Sequence, residues 1–376
     1  MDFGLSEEQK MLRDSARDFL ATECPKSKVR ELEEDDKGHD PELWHKMGGM
    51  LGWMGLVFPE EYEGTGGNLM DLAILVEEMG RNIVPSPFFS TVVLCALPIL
   101  EHGTSEQKES FLPKIATGEE IWALALNEPS SRYEASGIEF LATSEGEKYL
   151  LQGTKLFVPY AHVADYFLVI ARTNQLEQEG VTVFIVDAKS PGIKVEVIPT
   201  VAHDRQCEVS FDSVEVASSD ILGEVDQGWN IVDFILQRAT ILKCAEVLGA
   251  CQAVLEMTNS YVKDRVQFER PIGSFQAIQH RMVDMFTGVE GLRYLIYEAI
   301  WEVNTGLPSR LHISMAKVKA NEVYQRACID GIKNHGAIGF TADHDIGLYY
   351  RRVKAAEFFL RDGDFYRESV AAGLGL

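Results

Sequence analysis

The side chains of this chain that could carry chemistry by themselves are histidines, cysteines and neighbouring carboxylates. The nine histidines show neither H-x-x-H nor H-E-x-x-H spacing, the patterns that place metal ligands on one helix face. The run Asp343–Asp345, with a central histidine, could ligate a metal, but Thr341 and Asp343 also suit a helix cap. We therefore assign no metal. Cys244 and Cys251, spaced for one helix face, favour core packing and reduced thiols in a cytoplasmic protein over redox chemistry.

The formal net charge of −23 limits the ligands of the chain. Nucleic acids and anionic membranes need a basic surface, so we expect neither as a partner. Any phosphate binding must use local Arg, Lys and backbone N–H groups. No G-x-G-x-x-G follows a strand, and the first residues lack the basic and apolar regions of a signal peptide. No apolar run is long enough to cross a bilayer.

The elements that must position these groups follow an α–β–α order. Helical periodicity dominates residues 1–119, β-branched and aromatic stretches separated by turns fill residues 120–225, and long amphipathic stretches cover residues 226–376. We predict an α+β fold with an N-terminal helical domain, a middle antiparallel β domain and a C-terminal four-helix bundle. Helices of this length usually pack in a bundle or at an oligomer interface.

The periodicity also predicts individual elements. After a capping box at Ser6–Gln9, the first helices lie around Pro41–Leu51, Met70–Arg81, Pro87–His102 and Ser105–Thr117. The predicted strands are Trp122–Leu126, Lys148–Gln152, Tyr166–Ala171, Val181–Asp187, Ile193–Val197 and Cys207–Val216. The C-terminal helices cover Trp229–Gln267, Phe275–Thr305, Leu311–Gly336 and Asp343–Ala372.

One stretch carries a family resemblance that extends over the whole chain. Arg265–Gln279 reads R-V-Q-F-E-R-P-I-G-S-F-Q-A-I-Q and resembles R-x-x-F-G-x-x-I-x-x-F-Q-x-x-Q of acyl-CoA dehydrogenases, flavoproteins that desaturate thioesters of coenzyme A. Further matching stretches occur in the family's order: Phe58–Tyr62, Gly64–Gly66, Val76–Gly80, Leu126–Pro129, Gly153–Lys155, Phe211–Val216, Ile221–Gly223, His335–Thr341 and Tyr350–Arg352. The resemblance implies FAD, an acyl-CoA substrate, a tetramer and an electron-transferring flavoprotein as acceptor.

The resemblance also implies how the adenine and pyrophosphate end of FAD is held. Arg265 would offer a bidentate fork to phosphate, with Phe268 as a packing aromatic and Gln276 in the same motif. Glu269 stands where the family has glycine. If the helix continues, Glu269 and Arg265 form an i,i+4 ion pair, or the carboxylate competes with the pyrophosphate for the arginine.

A second stretch for the same end of the cofactor is the turn His335–Gly339, which resembles the family's H-G-G-x-G. Gly336 and Gly339 remain, and an alanine replaces the glycine between them. Lys333 stands in place of a family glutamine and could serve a phosphate as a point charge.

The family's pocket for the flavin ring is altered in this chain. Asn127–Glu134 reads N-E-P-S-S-R-Y-E against T-E-P-G-A-G-S-D, so Arg132 and Tyr133 replace glycine and serine. Lys155–Ala161 differs from K-x-W-I-T-N-G in having Pro159 in place of the threonine. The residues implied to contact the flavin from this domain are Leu126, Asn127 and Phe157. Core or interface packing is the alternative for Phe157 and Tyr160.

Removal of a weakly acidic thioester α-proton needs a carboxylate held close to the carbon in a dry site. By the resemblance, the two family positions for this base fall on Ala239 in the first bundle helix and Leu360 in the last helix. Neither can accept a proton. Carboxylates nearby in sequence, as weak candidates or surface charges, are Glu246, Glu357, Asp362 and Asp364.

Three functions are compatible with these residues. The chain could be a subunit of a heteromeric acyl-CoA dehydrogenase that lacks its own base and completes the FAD site of a homologous partner. It could instead be an active homotetramer with a relocated carboxylate. The third alternative is a base-less relative that catalyses an elimination of the lyase type on an acyl-CoA.

Overall fold

A computed structural model describes residues 4–130, 134–174 and 180–376. The chain divides into two compact units. The helical unit comprises Met1–Arg30, Asn68–Val84 and Thr240–Leu376, and the sheet unit comprises Glu31–Gly67 and Pro85–Ala239. The predicted helical–sheet–helical order is confirmed, while the division at residues 119 and 225 stays a prediction.

The described helices lie on either side of the strands in the sequence. The α-helices are α1 (Glu7–Glu23), α2 (Lys26–Glu34), α3 (Pro41–His45), α4 (Leu69–Asn82), α5 (Leu97–His102), α6 (Ser105–Thr117), α7 (Gly228–Asp264), α8 (Gln276–Asn304), α9 (Arg310–His335), α10 (Ile346–Phe358) and α11 (Gly363–Gly373). Lys46–Met50, after α3, and Phe89–Ala96, before α5, are π-helical. The capping box predicted at Ser6 is present: its hydroxyl accepts from Gln9 N, and the Gln9 side chain accepts from Ser6 N.

The sheet unit contains one eight-stranded sheet. Its strands are β1 (Trp122–Ala125), β2 (Leu141–Glu145), β3 (Lys148–Pro159), β4 (Tyr166–Arg172), β5 (Val181–Asp187), β6 (Ile193–Ile198), β7 (Gln206–Ala217) and β8 (Ile221–Leu222). The strand order is β6-β7-β3-β2-β4-β5-β8, with β1 beside β4. Most ladders are antiparallel, as predicted, but β4 pairs in parallel with both β1 and β2.

Two features of this sheet differ from the sequence prediction. The sequence does not predict the strand β2, because its residues are short of apolar side chains and only Ala142 is buried. The strand β3 continues beyond Gln152 to Pro159, through two register shifts against β7. Gly153, with φ +140°, fits the first irregularity because an added Cβ would lie 2.8 Å from the Phe140 ring.

The helical unit brings α4 against α7 and α8. A Cβ on Gly80 of α4 would collide with the Glu246 carbonyl, which accounts for glycine at the end of the Val76–Gly80 stretch. Glu77 of the same stretch is buried and accepts from Arg293 Nη1 at 2.7 Å and from the Tyr297 hydroxyl at 3.2 Å. This stretch therefore has a packing role.

The predicted last helix, Asp343–Ala372, is wrong as one element. It is divided into α10 and α11 because Leu360 and Arg361 have φ values of +55° and +90°, which a continuous helix cannot contain. None of the described helices is long and apolar enough to cross a membrane. Across the described ranges, no group of three or more His, Cys, Asp or Glu side chains could hold a metal.

Candidate functional site

The Arg265 stretch forms a hairpin that follows α7. The helix ends at Asp264, and the short strands β9 (Val266–Gln267) and β10 (Arg270–Pro271) pair antiparallel. Phe268 and Glu269 form the two-residue turn, with φ values of +52° and +64°. Glu269 is therefore not on a helix with Arg265, and the expected i,i+4 helical pair is wrong.

The turn geometry explains why the family pattern has glycine where this chain has Glu269. Two-residue hairpins with positive φ at both central residues favour Asn-Gly or Gly-Gly, because a Cβ is strained in this region. A glutamate there costs on the order of 1 kcal/mol of local strain. Glu269 in place of the family glycine therefore lowers the stability of the hairpin that carries Arg265.

The hairpin presents its side chains to the outside of the unit. Arg265 is exposed, and its guanidinium makes no hydrogen bond or ion pair with any residue that the structure describes. Phe268 is 85% exposed. Its ring lies 6.1 Å from that of Phe275, which also stacks under the Arg270 guanidinium at 4.0 Å. Gln276, the first residue of α8, is exposed as well. Arg265 and Gln276 are thus accessible to a ligand or a second chain.

The turn after α9 is built around a buried histidine. His335 Nδ1 lies 2.8 Å from the Gly331 carbonyl, and its ring packs 4.4 Å from those of Tyr261 and His344. Gly336 follows with φ +66° and ψ −138°, a conformation that needs glycine. His335 therefore fixes the start of the turn from within the unit.

The predicted binding residues of this turn fall into two groups. Lys333 and Gly336 are exposed, so an ammonium group and open backbone lie at the surface. Gly339 is buried, and a Cβ there would lie 3.0 Å from the Ile332 carbonyl and from the His335 Cβ. The structure thus gives Gly339 a packing role in the turn.

The segment that follows this turn is held by α2. Arg30 Nη1 lies 2.7 Å from Asp345 Oδ1, and Nη2 donates to the carbonyls of Ala342 and Asp343. The expectation that Thr341 and Asp343 cap α10 is wrong. Instead, His344 Nδ1 accepts from Ile346 N at 3.2 Å.

In the sheet unit, a buried ion pair joins the end of β1 to β3. Lys155 Nζ donates to Glu128 Oε1 at 2.6 Å and to the Leu126 carbonyl at 3.2 Å. The other carboxylate oxygen of Glu128 accepts from the backbone N–H groups of Glu139 and Phe140. Burial lowers the pKa of Lys155 to about 8. The family stretches around residues 126–129 and 153–155 are therefore partners in one network.

This network positions the residues predicted to contact the flavin ring. Leu126 is buried, and the Asn127 carbonyl accepts from Leu156 N at 2.9 Å. The register shift between Lys155 and Val158 places Phe157 in a bulge with φ +52°, where its side chain is 51% exposed. Bulges beside active sites often redirect a side chain in this way. Within this unit the alternative of core packing is wrong for Phe157.

Two further predictions concern this pocket. Pro159 lies at the end of β3, next to Tyr160, whose φ is +57° and whose hydroxyl donates to the Gly38 carbonyl. Arg132 and Tyr133, which replace the glycine and serine of the family's pocket, lie outside the described ranges.

One tyrosine of the helical unit bridges Leu360 and Thr240, the residue that follows Ala239. Ala239 is fully buried in α7, and Leu360 is buried in the break between α10 and α11, not in the last helix as expected. The Tyr366 hydroxyl donates to the Leu360 carbonyl at 2.8 Å and lies 2.9 Å from Oγ1 of Thr240, the residue after Ala239. Since the Tyr366 hydroxyl donates its proton to the Leu360 carbonyl, the Thr240 hydroxyl must donate to the Tyr366 oxygen. The sequence contained no signal for this bridge.

The carboxylates near these positions have local partners. Glu246 Oε2 lies 2.6 Å from Lys243 Nζ, and Glu357 Oε2 lies 2.5 Å from Lys354 Nζ. Asp362 caps α11 by accepting from Phe365 N. Asp364, 85% exposed, pairs with Arg367 at 2.8 Å. Each of these carboxylates is thus engaged in a local contact within its own helix or at its start.

Comparison with known proteins gives a consistent assignment. Residues 6–119, 123–214 and 226–374 match the models of the acyl-CoA dehydrogenase N-terminal, middle and C-terminal domains. The chain is 31% identical over 368 residues to a short-chain specific acyl-CoA dehydrogenase of Clostridium acetobutylicum, covering 96% of each chain.

Two solved structures are similar over the whole chain. Butyryl-CoA dehydrogenase of Megasphaera elsdenii superimposes with a TM-score of 0.93 at 29% identity, with full coverage of both chains. A chain of the ChsE4-ChsE5 complex of Mycobacterium tuberculosis gives a TM-score of 0.91 at 27% identity, covering 100% of this chain and 99% of that chain.

Proposed function

Because this chain belongs to the acyl-CoA dehydrogenase family, we propose that it is a subunit of an FAD-dependent acyl-CoA dehydrogenase that lacks its own catalytic base and completes a partner's FAD site. The reaction of the complex is α,β-desaturation of an acyl-CoA thioester. One observation carries the proposal: Ala239 and Leu360 occupy the positions of the base, whereas Arg265 is exposed with no partner among the described residues.

The residues present fit the adenine end of FAD. Proteins bind a pyrophosphate through bidentate arginine guanidinium groups, lysine ammonium groups and backbone N–H groups. This chain offers a guanidinium with no hydrogen bond or ion pair to a described residue, an exposed lysine and an exposed glycine backbone. Arg265, Lys333 and Gly336 would hold it, beside Phe268 and Gln276. On the sheet unit, Phe157 offers an aromatic face. The Asn127 carbonyl accepts a hydrogen bond from the backbone N–H of Leu156, the residue before Phe157. When bound, FAD supplies the hydride acceptor.

The missing base determines the role of this subunit. A buried carboxylate would have to take the α-proton at the moment of hydride loss. Alanine and leucine cannot do so, and the bridge from Thr240 through Tyr366 to Leu360 keeps the second position in a closed, hydrogen-bonded arrangement. The proton must therefore be removed by a residue of the partner subunit.

A homologous acyl-CoA dehydrogenase subunit in a heterotetramer is the proposed partner. The similarity to a chain of the ChsE4-ChsE5 complex supports an assembly of two different chains. The family resemblance supports an electron-transferring flavoprotein as the acceptor, and the reduced cysteines support a cytoplasmic location. A homotetramer in which Glu246 or Glu357 acts as the base is the alternative, and a base-less lyase is another.

The test is the flavin content per chain, measured after purification alone and after co-expression with a homologous subunit. We expect little flavin alone, stoichiometric flavin in the complex, and acyl-CoA-dependent flavin reduction only in the complex. Full flavin occupancy and substrate reduction by the chain alone would favour the homotetramer. Flavin binding and acyl-CoA turnover without reduction of an electron acceptor would favour the lyase.

A pair of variants tests the missing base directly. Leu360→Glu places a carboxylate at one family position, and Leu360→Gln is the matched neutral control. If the flavin ring lies beside this subunit's own Leu360, only the glutamate variant of the complex shows acyl-CoA-dependent bleaching of the flavin beyond that of the unmodified complex. If neither variant gains activity in the loaded complex, this subunit only completes the partner's site.

A further inference from the structure

The two stretches proposed to hold the adenine end of FAD follow different helices. The Arg265 hairpin follows α7, and the turn that begins at Gly336 follows α9. One pyrophosphate can contact both stretches only if they lie at a fixed spacing, because a binding site must be held close to its productive geometry. A side chain that joins the end of α7 to the start of this turn would therefore act on FAD binding without touching the cofactor.

Tyr261, in the last turn of α7, makes this connection. Its backbone carbonyl accepts from Arg265 N at 2.9 Å, so the tyrosine lies one helical turn before the arginine. Its hydroxyl donates to the His335 carbonyl at 3.3 Å. The centroids of the Tyr261 and His335 rings lie 4.4 Å apart, and the rings are tilted by 31°. One half-buried side chain thus contacts the residue before Gly336 through both its hydroxyl and its ring.

The peptide bond between His335 and Gly336 is held at both of its polar atoms. Its carbonyl accepts from Tyr261, and the Gly336 N–H donates to the Ile332 carbonyl. Gly336 then turns the chain with φ +66° and ψ −138°, and residues 336–338 are exposed. Because the orientation of this peptide sets the direction of the chain after it, the Tyr261 hydroxyl helps to fix where the exposed turn lies relative to α7.

The His335 ring is also held by its neighbours. Its Nδ1 atom lies 2.8 Å from the Gly331 carbonyl, and this nitrogen carries the proton because a carbonyl only accepts. The other ring nitrogen, Nε2, is buried without a hydrogen-bond partner among the described residues. The His344 ring packs 4.4 Å away at an angle of 62°. The Tyr261 ring is thus one of two aromatic surfaces that keep His335 in place.

We propose that Tyr261 is a positioning residue for FAD: by holding the His335 peptide against the end of α7, it sets the spacing between Arg265 and the Gly336 turn. This role rests on the proposed function, in which the two stretches bind the adenine and pyrophosphate end of the cofactor. Tyr261 acts through them and not by contact with the flavin ring. Its effect should therefore appear in the affinity for the adenine end and depend on the presence of Arg265.

Tyr261→Phe in the assembled complex tests this role, since it removes the hydroxyl and keeps the ring. FAD and ADP are titrated separately into the flavin-depleted complex by calorimetry, because ADP carries the adenine and the pyrophosphate without the flavin. We expect both affinities to fall about 3- to 10-fold, as the loss of one hydrogen bond would give. Tyr261→Leu, which also loses the aromatic contact with His335, should bind both ligands more weakly still.

Tyr324→Phe is the matched control. The Tyr324 hydroxyl donates to the Tyr349 carbonyl at 3.0 Å, so this variant also loses one hydrogen bond from a tyrosine to a backbone carbonyl of the helical unit. It should leave both affinities unchanged. If it weakens FAD binding as much as Tyr261→Phe does, a general loosening of the helices explains the effect and the positioning role is wrong.

A double-mutant cycle separates positioning from a simple loss of stability. If Tyr261 acts through the spacing of Arg265 and the turn, Tyr261→Phe should weaken FAD binding less in an Arg265→Ala background than in the unmodified chain. Full additivity of the two changes, an unchanged FAD affinity in Tyr261→Phe, or a loss for FAD without a loss for ADP would each overturn the role and leave the proposed function intact. A complex that binds neither FAD nor ADP would overturn both.

Discussion

The ammonium nitrogen of Lys155 lies 2.6 Å from Oε1 of Glu128, and both side chains are buried in the sheet unit. The pair also holds the backbone at Leu126, Glu139 and Phe140. Breaking one partner of a buried pair leaves an uncompensated charge, which costs several kcal/mol. This pair thus links the stability of the sheet to the geometry of the site.

Lys155→Met is expected to lower the free energy of unfolding of the sheet unit by about 3 kcal/mol, because Glu128 loses its cation while remaining buried. Urea unfolding followed by tryptophan fluorescence measures the loss. Lys148→Met is the matched control, since its pair with Glu215 at 2.7 Å is exposed and contributes less than about 1 kcal/mol. Equal effects of the two variants would contradict the buried role of Lys155.

Glu269→Gly is expected to stabilise the protein by about 1 kcal/mol, because it removes a Cβ from a turn residue with φ +64°. The melting temperature measures the gain. Glu269→Ala is the control, since it removes the carboxylate and keeps the strained backbone. If the alanine variant gains as much as the glycine variant, the charge and not the conformation is responsible.

Arg265→Ala is expected to weaken FAD binding in the assembled complex about 10- to 100-fold, because a charged hydrogen bond to phosphate is lost. Its melting temperature without cofactor should not change, since the exposed guanidinium has no partner within the described ranges. Fluorescence titration with FAD measures the affinity. Lys263→Ala, an exposed cation near the end of α7, is the control and should bind FAD normally.

The turn after α9 is expected to lose stability as the pH falls below about 6.5, the ordinary pKa of histidine. Burial lowers the pKa of His335 and of His344 in the folded state. The unfolded chain therefore binds more protons below this pH, and the free energy of unfolding falls with pH until the folded pKa values are passed. Thermal melts across this range measure the effect.

The pH response depends on the groups that face His335. The backbone carbonyl of Gly331 favours its proton at Nδ1, whereas burial and the nearby His344 disfavour the charged ring. Asp345 and Arg30 act on His344 with opposite signs. His335→Gln should flatten the pH profile, and an unchanged profile in that variant would assign the response to other residues.

Sequence periodicity predicted the long elements well and their ends poorly. The helix predicted to reach Gln267 ends at Asp264, because the hairpin after it needs positive φ at Phe268 and Glu269. The predicted strand ends at Gln152, but β3 passes Gly153 and ends at Pro159 because β7 supplies a partner along its length. Propensity is local, and pairing with a distant strand can override it.

The residue types by themselves determined the family, the order of helices and strands, and the absence of a carboxylate at Ala239 and Leu360. Those conclusions need only identity and spacing along the chain. The tertiary structure decided what each side chain contacts: Lys155 meets Glu128, Tyr366 joins Thr240 to Leu360, and Tyr261 packs against His335. These contacts join residues far apart in sequence, and the backbone path between them depends on packing that no local pattern encodes.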